Sequence, residues 1–241
     1  MFFHNFFKRV NELASGRFRV KMRILKAIDL SAPIEHDGIV WPGSPAPEIH
    51  KIYIGPPTGT VEVVTFHTHT GTHMDAPLHM LENGVPIDQI PVASFLGDGT
   101  IVNLSYKKPK EPIIQEDLEK NGSKVKKGDI VFVYTGWCTK RGFTREYMYD
   151  FPGLSEGAAQ WFVEKSVKGI GIDTLGIDPY MEPPTRRAHE TLMKANIWNV
   201  ETLVNLDKLL DKDRWFFIVL PLKLAGCGGA EARAIAVDLV E

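Results

Sequence analysis

The sequence has few of the features that mark secreted or membrane proteins. It contains only two cysteines among 241 residues, Cys138 and Cys227, and they are far apart. A disulfide framework is therefore not expected, and a reduced, cytoplasmic setting is the simplest interpretation. No apolar run approaches the ~20 residues that a membrane-spanning helix needs. We therefore expect a protein without a membrane span.

Neither sign of charge predominates. The chain has 28 Lys and Arg against 30 Asp and Glu, for a net charge of −2. This balance provides no strong basic field that could hold nucleic acid or an anionic membrane. The short basic run at residues 124–127 precedes a Gly-Asp pair, which is typical of a solvated turn. Neither a nucleic-acid partner nor a membrane partner is expected.

Internal repeats and low-complexity linkers are absent as well, and turn signals are spread evenly along the chain. Hydrophobic residues make up 44% and charged residues 24%, which is typical of a soluble globular protein. We assign residues 22–241 to one domain and residues 1–21 to an N-terminal arm. Alternatively, Met22 is the true start. The arm makes a poor signal peptide because its charges follow its apolar part.

Strand-like segments dominate the sequence. Helices are predicted at residues 114–121, 155–166 and from about 187 to 195. Together the elements indicate a sheet-rich α/β domain with helices packed outside. The alternating and apolar segments predict strands at residues 24–30, 48–54, 60–69, 100–104, 129–135, 169–172, 214–222 and 233–240.

Histidine is concentrated in one short segment. Four of the eight histidines fall within residues 67–79, where even scattering would place about half a histidine. The neutral imidazole is the commonest transition-metal ligand, and Asp75 adds an oxygen donor. Imidazole with carboxylate suits zinc, manganese or iron(II). The segment therefore predicts a metal site.

The spacing within this segment indicates how its ligands would converge. We expect His69 to end a strand, Gly71 to permit a turn and Pro77 to prevent a continuing helix. His69, His73 and Asp75 would then meet from a strand end and the loop that follows it, where binding sites are common.

A second group of ligands is needed, because one loop rarely completes a site. His189 and Glu201 are the best candidates, since a helix followed by a short buried strand would bring the ends of this stretch together. Standing alone, the pair would be a weak signal. For His67, which precedes His69 by two residues, we prefer a core or packing role.

Taken together, these residues resemble the metal-dependent cyclase family, which includes bacterial kynurenine formamidases and isatin hydrolase. The family signature His-x-Gly-Thr-His-x-Asp-x-Pro-x-His matches residues 69–79 at all seven specified positions, and a His followed twelve residues later by Glu matches His189 and Glu201. Two departures bear on the substrate pocket. Met80 stands where the family often has Phe, and the late Gly-x-Pro-x-Arg element lacks its proline before Arg233.

The resemblance implies a central, barrel-like mixed β-sheet with outer helices, a swivelling β/β/α fold, and assembly into a homodimer or homotetramer. His79 is implied as the proton shuttle, with Glu201 as the second catalytic residue. Asp75 would bridge two ions. The implied cofactor is one or two divalent metal ions per subunit, zinc first and manganese second, held by His69, His73, Asp75, His189 and Glu201.

The implied activity is hydrolysis of a small-molecule amide by metal-activated water, foremost arylformamidase action on N-formylkynurenine in tryptophan breakdown. Trp41, Phe66, Phe95 and Trp137 could line a flat aryl slot, although each taken alone is better explained by core packing. Three alternatives stay open: hydrolysis of a cyclic amide such as isatin or of another small amide or lactone, a non-catalytic metal-binding protein, and a polyketide-type cyclase with a larger pocket.

Overall fold

A computed structural model describes residues 23–53 and 59–240. The predicted arm at residues 1–21 and the predicted strand end at residue 54 lie outside these described residues. The α-helices are α1 (Gln115–Asn121), α2 (Arg145–Tyr149), α3 (Glu156–Lys165) and α4 (Arg187–Lys194). The strands are β1 (Arg23–Asp29), β2 (Glu48–Tyr53), β3 (Thr60–Thr65), β4 (His73–Asp75), β5 (Leu96–Asn103), β6 (Ile130–Tyr134), β7 (Gly169–Ile172), β8 (Trp198–Glu201), β9 (Trp215–Pro221) and β10 (Gly229–Val240).

Seven strands close into a mixed barrel. The sheet order is β1-β10-β4-β8-β7-β6-β5-β9, and the additional pairing of β9 with β10 closes the ring. Strands β5 to β8 run parallel to one another, whereas β4, β9 and β10 are antiparallel to their neighbours. The predicted α/β fold with a barrel-like mixed sheet and outer helices is confirmed.

Apolar side chains fill both the barrel and the space beneath the helices. Strand β6 is buried at every position, because its two faces pack against different partners. Phe132 points into the barrel, where its ring centre lies 4.3 Å from that of Phe217. Val131 and Val133 point the other way and pack with Phe162 of α3. The continuous apolar run of β6 is typical of a parallel strand that is covered on both faces.

The predicted strand 60–69 was wrong at its end. Strand β3 stops at Thr65, and residues 66–69 lie outside any strand. His73 and Asp75, predicted to lie in a loop, instead form β4 between β10 and β8. A strand of three residues carries no detectable periodicity, and its partners are distant in sequence. Helix α2 is also short and was not predicted. Strands β5 and β10 begin at Leu96 and Gly229, before their predicted starts at residues 100 and 233.

Strands β2 and β3 form a separate two-stranded ribbon outside the barrel. Every residue of β3 is exposed, and Val61, Val63 and Val64 are 42–45% exposed.

Within the described part of the chain, no helix has both the length and the apolar character to cross a membrane.

Candidate metal centre

Three parts of the fold deliver side chains to one cavity of about 170 Å³. The first is the 69–79 segment with β4, the second is the first turn of α4, and the third is the end of β8. Pairing of β4 with β8 places His73 directly opposite Glu201. The structure thus brings together all six predicted site residues on the cavity wall: His69, His73, Asp75, His79, His189 and Glu201.

Asp75 lies at the middle of this group and is 1% exposed. Its Oδ1 atom lies 2.7 Å from His69 Nδ1 and 3.5 Å from His73 Nε2. Its Oδ2 atom lies 3.2 Å from His189 Nε2 and accepts a hydrogen bond from Asn199 Nδ2 at 2.8 Å. The two carboxylate oxygens therefore face two different sets of nitrogen atoms.

Glu201 joins the two sets from the other side. Its Oε2 atom lies 3.4 Å from His73 Nε2, and its Oε1 atom lies 3.1 Å from His189 Nε2. Oε1 also accepts a hydrogen bond from the Ile177 backbone N–H at 2.7 Å. Because both oxygens have partners, this carboxylate is held in one orientation.

The spacing of these donors fits a divalent cation. Nitrogen and oxygen atoms bonded to zinc at about 2.0–2.1 Å lie roughly 3.3–3.4 Å from one another in tetrahedral geometry and roughly 2.8–3.0 Å apart at adjacent octahedral positions. The contacts of His73 and His189 with the two carboxylates span 3.1–3.5 Å. Two triads have ligand atoms within 4.8 Å of one another, His69-His73-Asp75 and Asp75-His79-His189.

Buried negative charge dominates the electrostatics of the centre. Burial opposes ionisation of Asp75, yet the neighbouring imidazoles hold its pKa well below the ordinary value. Burial and Asp75 would raise the pKa of Glu201, but His189 and His73 lower it to about 2. Burial would lower the pKa of His73, but Asp75 and Glu201 raise it to about 9. Burial would lower the pKa of His189, but Asp178 and the same carboxylates raise it well above its ordinary value, so two imidazoles balance the two buried negative charges. A divalent ion bound among these residues would supply that positive charge in their place.

His79 differs from the other imidazoles. Burial lowers its pKa to about 4, so its ring is neutral at pH 7. Its ring centre lies 4.1 Å from that of His69 and 5.6 Å from that of His189. A neutral imidazole beside the donor cluster can accept a proton and release it again.

Asp178 was missed by the sequence analysis. Its Oδ2 accepts hydrogen bonds from His189 Nδ1 at 2.5 Å and from the His189 backbone N–H at 3.1 Å, and its Oδ1 accepts one from Ala188 N–H at 2.8 Å. This arrangement directs His189 Nε2 towards Asp75 and Glu201. Asn199 was also missed, although it lies two residues before Glu201 on β8, where side chains share a face.

Two glycines pack closely behind the histidine segment. A Cβ atom on Gly229 would lie 2.8 Å from His69 Cε1, and one on Gly228 would lie 2.9 Å from the backbone of His79. The first residue of β10 and the residue before it therefore need to be glycine. Arg233, next to the missing family proline, forms an ion pair with Asp29 at 2.7 Å and does not line the cavity.

The structure tests two predictions about the pocket wall. His67, predicted to be a packing residue, is instead part-exposed and lines the cavity. Core packing, the preferred explanation for each of the four aromatic residues, is confirmed for Phe95 and Trp137, which are 5% and 1% exposed. Of the four residues considered for an aryl slot, Trp41 lines the cavity and Phe66 does not.

Comparisons with known proteins agree with this geometry. The model of the Cyclase family matches residues 28–179. The chain is 30% identical over 216 residues to the kynurenine formamidase of Bacillus anthracis, which covers 89% of this chain and 98% of that protein. A solved structure described as a "predicted metal-dependent hydrolase" from Bacillus stearothermophilus superposes with a TM-score of 0.73 at 30% identity, covering 91% and 100% of the two chains. Isatin hydrolase A from Ralstonia solanacearum shares the fold, with a TM-score of 0.78 at 23% identity over 97% and 96% of the chains.

Proposed function

The chain belongs to the Cyclase family, and from this premise we propose that it is a metal-dependent amidohydrolase. Its proposed reaction is the hydrolysis of N-formylkynurenine to kynurenine and formate, an arylformamidase step of tryptophan catabolism. One observation carries the proposal: three imidazoles and two carboxylates converge at a cavity beside a further imidazole, that of His79. The likeness to kynurenine formamidases supports the choice of substrate.

We propose one or two divalent ions per subunit, zinc first and manganese second. His69, His73 and Asp75 would hold one ion, and Asp75 would bridge to a second held by His189 and Glu201. The two faces of the Asp75 carboxylate support this division. A divalent ion bound there would polarise an amide carbonyl and lower the pKa of a bound water molecule.

His79 is the proposed proton shuttle. Its neutral ring would take a proton from the attacking water and deliver it to the departing nitrogen. Glu201, the second proposed catalytic residue, has both oxygens engaged by His73, His189 and the Ile177 N–H. Its contribution would therefore be to hold the centre in shape more than to carry protons.

The size of the cavity favours a small substrate. A volume of about 170 Å³ is below the range of typical ligand pockets, roughly 300–1,000 Å³. A polyketide-type substrate would need a larger pocket, so this alternative is disfavoured.

The proposal is tested by metal analysis of purified protein together with an N-formylkynurenine assay before and after chelation. We expect bound divalent metal, activity that chelation abolishes, and recovery on adding zinc or manganese. His79→Ala should keep its metal content but lose about 10²- to 10⁴-fold in turnover, the usual size of acid–base catalysis. Full activity in His79→Ala, or activity that survives complete metal removal, would contradict the assignment.

We further propose that residues 22–241 form one domain and that the protein acts in the cytoplasm as a homodimer or homotetramer. The exposed apolar residues of the β2–β3 ribbon, Val61, Val63 and Val64 among them, support assembly, because exposed apolar patches often mark interfaces. Light scattering coupled to size-exclusion chromatography should give a mass of two or four subunits. A monomer would contradict this proposal without affecting the assigned reaction.

A further inference from the structure

Arg186 lines the cavity immediately before α4. Its guanidinium carbon lies 4.8 Å from the ring centre of Trp41, which lines the same cavity. Stacking on an aromatic ring uses the face of the planar guanidinium and leaves the N–H groups at its edge free to donate hydrogen bonds.

Arg186 is a cation without a described anionic partner. The next residue, Arg187, pairs with Glu156 at 3.3 Å, whereas no ion pair of Arg186 is formed with the residues that the structure describes. Arg186 is also the one Lys or Arg among the described residues of the cavity wall. Asp75 and Glu201 face the imidazoles, so they do not neutralise it.

The surroundings of Arg186 suit a ligand with an aromatic and an anionic part. Ile39, Val40, Trp41 and Leu175 give the cavity an apolar side that can hold a ring. The part-buried guanidinium of Arg186 lies over the Trp41 ring, and a guanidinium offers paired N–H donors that a carboxylate can accept in bidentate fashion. The proposed metal ligands line the same cavity as Arg186, so one small molecule bound there has both within the same space.

We propose that Arg186 binds a carboxylate of the substrate and makes the enzyme selective for aryl amides whose side chain bears a carboxylate over aryl amides without one. The inference rests on the proposed amidohydrolase function and specifies its substrate class. Arg186 is a specificity residue that acts away from the scissile amide. Trp41 holds the guanidinium in place and contributes apolar contact to the ring.

The test compares N-formylkynurenine, which carries a carboxylate, with formanilide, which is neutral. With metal-loaded Arg186→Gln, we expect kcat/KM for N-formylkynurenine to fall roughly 10- to 100-fold, mainly through KM, the size expected for lost hydrogen bonds to a charged group. Activity on formanilide should stay within about twofold. Arg186→Lys should recover part of the loss, because it keeps the charge without the planar fork. Arg187→Gln is the matched control and should leave both substrates unchanged.

A calorimetric measurement separates binding from turnover. Kynurenine should bind Arg186→Gln roughly 10- to 100-fold more weakly than it binds wild type. The methyl ester of kynurenine has no carboxylate, so it should bind both proteins alike. Equal losses on both substrates, or an unchanged kynurenine affinity, would overturn the role of Arg186. Wild-type protein that hydrolyses formanilide without preferring N-formylkynurenine would overturn it too, while leaving the amidohydrolase function intact. Metal-loaded wild type that hydrolyses neither substrate would instead refute the proposed function.

Discussion

Two imidazoles of the centre use one ring nitrogen for orientation and present the other to the cavity. His73 donates from Nδ1 to the Gly71 carbonyl oxygen at 2.9 Å, and His189 donates from Nδ1 to Asp178. The Gly71 carbonyl reaches this position because the residue has a φ of 60°, which glycine adopts without strain. Hydrogen bonds of this kind fix the tautomer and ring orientation of a metal-binding histidine.

Asp178→Asn should weaken metal binding without removing any proposed ligand. The amide can still accept the Ala188 N–H bond, but its NH2 group would then face the N–H groups of His189 that now donate to Oδ2. We expect a 10- to 100-fold loss in metal affinity, the usual effect of removing such a partner. Competition with a chromophoric chelator measures this loss.

Asp207→Asn is the control for this experiment, because Asp207 is an exposed carboxylate on the short helix Leu206–Leu209. The metal affinity of the Asp207→Asn protein should equal that of wild type. An Asp178→Asn protein with unchanged metal affinity would show that the orientation of His189 does not depend on this carboxylate.

At the scale of single elements, the sequence predicted what local pattern and capping determine. Helix α3 begins after Ser155, whose Oγ accepts a hydrogen bond from the Ala158 N–H at 3.2 Å, as its N-cap position predicts. Strand β4 was not predicted, because its three residues take their strand conformation from pairing with β8 and β10. The motif therefore predicted residues that the structure brings together at one cavity, but not the local structure that carries them.

Helix α1 provides an ion pair whose contribution to stability should depend on pH. The Asp117 carboxylate lies 2.6 Å from Lys107 Nζ, whose side chain is 3% exposed, and it accepts a hydrogen bond from the Ile114 N–H at 2.9 Å. Burial opposes ionisation of Asp117, but these partners lower its pKa below 3.8. A lowered pKa in the folded state stabilises the protein above the unfolded pKa, and this stabilisation is lost as the pH falls.

Asp117→Asn should therefore reduce the free energy of unfolding at pH 7 by about 1–3 kcal/mol, because Lys107 loses a charged partner. The difference from wild type should shrink as the pH falls past 3.8, the ordinary aspartate value. Urea unfolding between pH 3 and pH 7 measures both proteins. Glu119→Gln, an exposed change on the same helix, should stay within about 0.5 kcal/mol of wild type. A difference that does not vary with pH would contradict this assignment.

At the scale of the whole molecule, closure of the barrel assembles the centre. The first residues of β10 pair with β4, and β4 pairs with β8, so residues 73–75, 199–201 and 229–231 become neighbours. Local periodicity could not predict this arrangement, because it depends on pairing between segments far apart in the chain. The helix-then-strand pattern of residues 189–201 made His189 and Glu201 candidates only weakly, and the family resemblance supported them as partners of the histidine segment.

Because the donors come from segments that only the folded barrel brings together, metal should bind the native state far better than the unfolded chain and so stabilise it. At a free metal concentration of 100 times the Kd, the gain is about 2.7 kcal/mol, which corresponds to a rise in Tm of roughly 5–11 °C for a chain of this length. Differential scanning calorimetry of metal-free protein with and without zinc measures the shift. Asp75→Asn should lose most of it, because Asp75 contacts His69, His73 and His189, whereas Asp207→Asn should keep it. An equal shift in Asp75→Asn would place the stabilising ion somewhere other than this cavity.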